Sequence, residues 1–324
     1  MYNYSKSFLD KIASETGFIR DNLEKVFRLC DILQFLNTNS TTNDCLALKG
    51  GTAINLTIFN LPRLSVDIDL DFCRACSRNE MLSEREKING LLLNYMFSQG
   101  YALSPNTKNP HSLDSWVFYF QNAGGNRDNV KIEINYSMRH HILPIIKKKV
   151  NIDFFQFPNE LTTLSPLELF GGKIKALIER TAPRDLYDVN NLLIEGIILP
   201  EELILLRKIV LFYLVIGSRK KIDLPLSYSN IDALKFNKIR STLLPVLKKS
   251  ERFDLEVSKT TVKNYLLRLM ALTDNEILFV ENFYRGIYKP DLLFDDAEII
   301  ERIKEHPIAI WRTVDKKVVN PIPE

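Results

Sequence analysis

Cysteine is scarce in this chain, with four among 324 residues. That is too few for a disulfide scaffold at this length. Cys73 and Cys76 form one C-x-x-C, but a structural zinc site needs a second pair of Cys or His ligands at recognisable spacing. Only four histidines exist, none placed to supply that pair, so the four thiols read as incidental ones in a reducing compartment. An excess of one charge is also missing: 43 Lys+Arg stand against 40 Asp+Glu, a net charge of +3. This excludes a histone-like polycation and an acidic tail protein, while leaving room for a local basic patch. No apolar run approaches the ~20 residues that span a bilayer. The start, Met1 to Lys6, lacks the charged-then-apolar pattern of a signal peptide. A soluble cytoplasmic protein without membrane association is expected. The phosphate-loop pattern G-x-x-x-x-G-K-[ST] does not occur, nor do H-E-x-x-H and G-x-S-x-G, which removes the usual supports for ATPase, zinc-protease and serine-hydrolase readings.

Apolar residues make up 45% of the chain and charged residues 26%, enough to build a packed core. The length corresponds to two domains at ~100–200 residues each. Apolar residues recur at helical spacing over 5–37, with a break near Gly17. Leu46-Ala47-Leu48 reads as a buried strand running into Lys49-Gly50-Gly51, and 52–59 as a short helix ended by Pro62. From Val66 to Phe72 the alternation is unbroken, which predicts a strand with Ser65, Asp67, Asp69 and Asp71 on one face. A helix over 79–99 and strands over 116–120 and 130–135 follow, the strands joined through Gly124-Gly125-Asn126. Beyond about Pro158 the periodicity is helical: 166–180, 184–194, 200–216, 236–247, 258–271, 273–284 and 296–304. The expectation is an α+β domain over 1–158, a mixed sheet with flanking helices, followed by a helical domain over 159–324.

Two segments carry chemistry. In the first, Asp67 and Asp69 stand two apart on a strand, so both carboxylates leave the same face. A divalent cation shared with a nucleotide phosphate relieves their repulsion, and hard oxygen ligands suit Mg²⁺. Taken alone, such a pair also reads as a solvated face, and Asp71 as its continuation. A calcium loop beginning at Asp67 fails, because it needs Gly at 72 and Glu at 78, where Phe72 and Arg78 stand. Gly50 and Gly51 lie where a strand turns into a helix, which lets backbone N–H groups approach a phosphate. Glu133 shares its face with Lys131 and Asn135. It is placed to be a third metal-binding carboxylate, or equally to pair with a neighbouring cation. In the second segment, Lys173, Ala176 and Arg180 share a helical face, and Arg184 and Asp188 are four apart and able to pair. Lys173 is the kind of cation that holds a triphosphate.

Taken together, Gly50-Gly51-Thr52, Arg63-x-Ser65-x-Asp67-x-Asp69 and Lys173-x-x-Ala176-x-x-x-Arg180-x-x-x-Arg184-Asp185-x-x-Asp188 resemble the AbiEii/AbiGii-type nucleotidyltransferase toxins. These belong to the polymerase-β-like nucleotidyltransferase superfamily. The motifs span about residues 45–195. The resemblance implies a bi-lobed α+β protein with a nucleotidyltransferase core and a helical C-terminal lobe. It implies a toxin of a type IV toxin–antitoxin or abortive-infection system, with a cognate antitoxin as partner. The implied reaction moves a nucleoside monophosphate from an NTP, with Mg²⁺, to an RNA acceptor, for several relatives the 3′ end of tRNA. By the same resemblance Asp67 and Asp69 are metal ligands, with Glu133 as the superfamily's third carboxylate. Gly50, Gly51, Thr52 and Ser65 belong to the nucleotide pocket, Lys173 contacts the triphosphate, and Asp188 is the acid of the second motif, so that the helical lobe contributes Lys173 and Asp188.

Competing readings keep the residues and change the task. The acceptor is then a protein or a small molecule, or the chain is a non-catalytic nucleotide- or RNA-binding module. Lys147-Lys148-Lys149, Arg219-Lys220-Lys221 and Lys248-Lys249 with Arg252 are candidate phosphate contacts for RNA.

Overall fold

The computed structural model describes residues 4–319 except 106, 108, 111, 153, 156 and 158, with backbone only for 315–319. The boundary drawn at 158 and the first three residues read for a leader lie outside the described residues. Helix α1 (Lys6–Thr16) ends at Gly17, which takes the left-handed conformation (φ 78°) that closes a helix without steric cost. Helix α2 (Arg20–Thr38) buries Leu23, Val26, Phe27, Cys30 and Leu33. It also buries Glu24, whose carboxylate accepts from Arg28 at 2.7 and 2.9 Å and from the backbone N–H of Ala123 at 2.8 Å.

Seven strands form one sheet: β1 (Leu46–Lys49), β2 (Asp67–Phe72), β3 (Ala102–Leu103), β4 (Leu113–Gln121), β5 (Arg127–Asn135), β6 (Ile146–Lys148) and β7 (Leu161–Thr163). Their order is β3-β4-β5-β2-β1-β7-β6. β2 is central, antiparallel to β1 and parallel to β5. Helix α3 (Gly50–Thr57) follows β1 directly, and α4 (Arg78–Ser98) opens on a capping box between Ser77 and Glu80. The fold class expected from the sequence is the one observed. β4 and β5 run longer than the apolar alternation indicated, because polar positions at their ends are neutralised by helices: Arg85 pairs with Asp114 at 2.5 Å and Lys25 with Asp128 at 2.6 Å. β3, β6 and β7 are two or three residues long, too short to leave a periodic signature.

The chain divides into two compact units. One comprises Met1–Arg139, Ile145–Leu164 and Leu244–Glu251; the other comprises His140–Pro144, Ser165–Leu243 and Arg252–Glu324. The helix expected over 236–247 stops at Thr242, ahead of Pro245. The chain then joins the sheet unit, where Leu64 N–H donates to Val246 O at 2.8 Å and Lys249 N–H to Gly17 O at 2.9 Å.

The second unit contains α5 (Pro166–Arg180), α6 (Pro183–Glu195), α7 (Leu203–Gly217), α8 (Ser229–Asp232), α9 (Phe236–Thr242), α10 (Leu255–Leu269), α11 (Asp274–Tyr284), α12 (Ala297–Ile303) and α13 (Pro307–Val319). α7 is apolar on all sides and buries Leu206 and every residue from Ile209 to Ile216, which makes it the centre of this unit. Gly171 of α5 faces Ile209, where a Cβ would collide, so the glycine sets how closely α5 and α7 approach. Glu168 is buried at the start of α5. It accepts the N–H groups of Ile142 and Leu143, both at 3.1 Å, and the Tyr213 hydroxyl, which ties 140–144 to the helices. Among the described residues no helix is long and apolar enough to cross a membrane.

Ile132 is fully buried on β5. Ile132→Ala is expected to cost the sheet unit roughly 2–5 kcal/mol. Urea unfolding followed at Trp116, in a Trp311→Phe background, checks this; an unchanged midpoint contradicts the packing described.

Candidate active site

Strand register fixes the site. Lys49, Asp69, Glu133 and Ser115 stand opposite one another across β1, β2, β5 and β4. One step along the same face, Asp67 stands opposite Lys131; one step the other way, Asp71 stands opposite Asn135. Four acids and two lysines therefore share this stretch of the sheet. Lys49 gives its ammonium to Asp71 at 2.5 Å, and Lys131 gives its own to Glu133 at 2.9 Å. Asp67 and Asp69, both half-buried, are left with no side-chain hydrogen bond or ion pair among the described residues. Burial is the main influence pushing the Asp69 carboxyl above the usual range; Lys49 opposes it, while Asp67 and Glu133 add to it. For Glu133 burial acts upward too, but hydrogen bonds from Lys131 and Ser115 outweigh it and hold the carboxyl below its usual value.

One sequence expectation is corrected by these pairs. Asp71 is not a solvated end of the acidic stripe: it is buried, 1% exposed, and paired with Lys49. Glu133 forms an ion pair with its neighbour Lys131. Among the described residues no three Asp, Glu, His or Cys side chains converge to hold a metal by themselves. The free donor set is two hard carboxylates. That number fits Mg²⁺, which takes one or two protein carboxylates and completes its shell with water and substrate phosphate.

Gly50 and Gly51 are the first residues of α3 rather than a turn ahead of it. Gly50 has φ 69°, and a Cβ there would lie 2.8 Å from Asp69 Oδ2. At Gly51 a Cβ would lie 2.5 Å from Arg63 Nη2 and 3.2 Å from Ser65 Oγ. No side chain caps this helix, so its first-turn N–H groups and the positive end of its dipole remain available to an anion. The Thr52 hydroxyl reaches Ser65 Oγ at 2.9 Å and the carbonyl of Asp67, tying the helix to the start of β2. Arg63 is 1% exposed and donates to Leu64 O at 2.9 Å. It belongs to the motif, yet nothing in the sequence indicated that its guanidinium lies beneath the glycine turn.

In the helical unit, Lys173 is buried on α5. Its ammonium lies 3.0 Å from Asp185 Oδ1 and 3.0 Å from Asp188 Oδ2, both on α6. Arg180 adds two bonds to Asp185, at 2.7 and 3.1 Å. Burial lifts the Asp185 carboxyl, but Lys173 and Arg180 outweigh it and the net direction is downward. Arg184 donates its Nε–H to Thr242 O at 2.9 Å. The i, i+4 arithmetic paired Arg184 with Asp188; it could not see that α5 folds back and offers Lys173 to Asp188 as well. Asp185 had no role in the sequence reading and proves to be the acid that holds both cations.

The sequence profile of the nucleotidyl transferase AbiEii toxin, type IV toxin–antitoxin system, matches residues 32–258. That span holds Asp67 and Asp69 of β2, Gly50 and Gly51, and the whole Lys173–Asp185–Asp188 cluster. The chain belongs to the AbiEii family. It is thus a nucleotidyltransferase toxin, with an NTP as substrate and an antitoxin as partner. MenT4, a nucleotidyltransferase toxin from Mycobacterium tuberculosis H37Rv, resembles it in fold: the TM-score is 0.63 over 95% of this chain and 99% of that one, at 16% identity. No curated protein matches it in sequence.

For this AbiEii protein the depressed Asp185 carboxyl gives a pH signature. Its contribution to stability is present above the ordinary aspartate value of about 3.8 and is lost as pH falls through the lower folded value. Asp185→Asn leaves Lys173 and Arg180 with one fewer counter-charge and is expected to cost roughly 3–5 kcal/mol at neutral pH. The gap in melting temperature from the wild type should narrow below pH 4; a gap independent of pH contradicts the assignment.

Proposed function

We propose that this toxin uses Mg²⁺ to transfer a nucleoside monophosphate from an NTP to the 3′ end of an RNA, with tRNA as the acceptor, in the cytoplasm. The observation that carries the reading is the pair of unneutralised carboxylates, Asp67 and Asp69, beside the uncapped start of α3. A face with four acids and two lysines is unfavourable by itself and becomes favourable when a cation and a phosphate arrive.

Asp67 and Asp69 hold the metal, which when bound supplies Lewis-acid polarisation of the α-phosphate. The N–H groups at Gly50 and Gly51 bind phosphate oxygens, and Thr52 with Ser65 keeps that turn against β2. Lys131 holds Glu133 at the edge of the pair; Glu133 serves as a third ligand only by exchanging this partner. The acceptor hydroxyl oxygen attacks the α-phosphorus in line, the α–β P–O bond breaks, and pyrophosphate leaves. The resemblance gives Lys173 the task of offsetting charge on the leaving pyrophosphate. It makes Asp188 the active-site acid of the second motif, and Asp188 lies 3.0 Å from that ammonium.

Asp67→Asn and Asp69→Asn should each reduce transfer of label from α-³²P NTP to RNA by at least ~100-fold, several kcal/mol of barrier, while the fold is retained. Near wild-type transfer by either variant rules out the metal assignment. Label appearing in protein instead of RNA keeps the pocket and replaces the acceptor.

A further inference from the structure

A cleft of about 450 Å³ opens in the helical unit between the end of α5 and the chain around α8 and α9. Its polar lining includes Glu179, Arg180, Asn230, Lys235, Asn237 and Lys238. Glu179 contributes little free negative charge, because Lys175 pairs with it at 2.6 Å and the Ser218 hydroxyl donates to it at 2.5 Å. Arg180 reaches the cleft while it grips Asp185, the acid of the Lys173 cluster. Lys235 and Lys238 differ from the other cations here. They stand three apart, both are exposed, and neither has an ion pair among the described residues. The side-chain amides of Asn230 and Asn237 likewise have no hydrogen bond among the described residues. Thr181, which starts the turn beneath the cleft, is a non-glycine residue in the left-handed region (φ 47°), held by its own hydroxyl on Leu177 O at 3.0 Å.

We infer that this cleft binds one phosphate-and-base unit of the acceptor RNA strand. Two lysines with no acid to neutralise them repel one another, and a phosphodiester relieves that repulsion. Carboxamides offer a donor and an acceptor on the same edge, which matches the edge of a base, and their N–H groups also donate to phosphate oxygens; a carboxylate side chain uses only the donor. The chemistry therefore favours a nucleotide over an acidic peptide. The inference rests on the RNA-acceptor reading of the preceding subsection and adds where the helical unit grips the strand.

Equilibrium binding of a short 5′-fluorescein single-stranded RNA of mixed sequence, measured without NTP, tests it. Lys235→Ala/Lys238→Ala should weaken binding about tenfold at low salt. At ~0.7 per neutralised phosphate it should flatten the log Kd against log salt slope by about 0.7. Lys235→Arg/Lys238→Arg should keep the wild-type slope, and the affinity of either variant for NTP should be unchanged. An unaltered slope in the alanine variant overturns the inference. So does a loss of NTP affinity with RNA affinity intact, or displacement of the RNA by poly-glutamate as readily as by unlabelled RNA. Because no turnover is involved, slope-dependent RNA binding without transfer to any RNA would leave the cleft assigned and remove the acceptor reading instead.

Discussion

The unequal distribution of charge over one face of β2 and its neighbours is the constraint on which the rest of the site depends. Lysines at 49 and 131 each have a choice of acids, and each takes one that lies a step along the strand direction: Asp71 and Glu133. That choice leaves Asp67 and Asp69 side by side without a counter-charge, in surroundings that already push the Asp69 carboxyl upward. An apolar or fully paired face would be more stable. The excess is tolerable because α3 begins there with free N–H groups, and because Gly50 and Gly51 have no Cβ to crowd Asp69, Arg63 and Ser65. Function and local instability have the same origin.

The helical unit treats charge in the opposite way. Lys173 is surrounded by acids, Asp185 and Asp188, and Asp185 is shared with Arg180. Three of these four side chains are buried, which fixes the ammonium in one place. The sheet thus presents two acids without a counter-charge, whereas the helices present a cation already satisfied.

Much of this was legible in the sequence for a definite reason. Val66 to Phe72 and Val130 to Asn135 alternate strictly, so the faces of Asp67, Asp69 and Glu133 followed from a period of two. Gly17 marks a helix end by simple backbone chemistry, whereas Pro245 lay inside the helix expected over 236–247 and went unread as a stop. What stayed hidden depends on contacts between distant segments. The pairing of Lys49 with Asp71 needs the antiparallel register of β1 on β2. The burial of Arg63 under Gly51, and the capture of Lys173 by Asp185, need elements brought together by the fold. Segments 140–144 and 244–251 each lie apart in sequence from the rest of the unit they join, and neither carries a periodic signal that would say so.

The central claim is that β2 carries two carboxylates waiting for a divalent cation. Thermal unfolding in EDTA and across a Mg²⁺ titration, for the wild type and Asp69→Asn, tests it without reference to turnover. In EDTA the variant should melt above the wild type, since one of two repelling charges is gone. Added Mg²⁺ should raise the wild-type melting temperature and leave the variant nearly unmoved. Equal Mg²⁺ stabilisation of both proteins, or none in the wild type, would contradict the account.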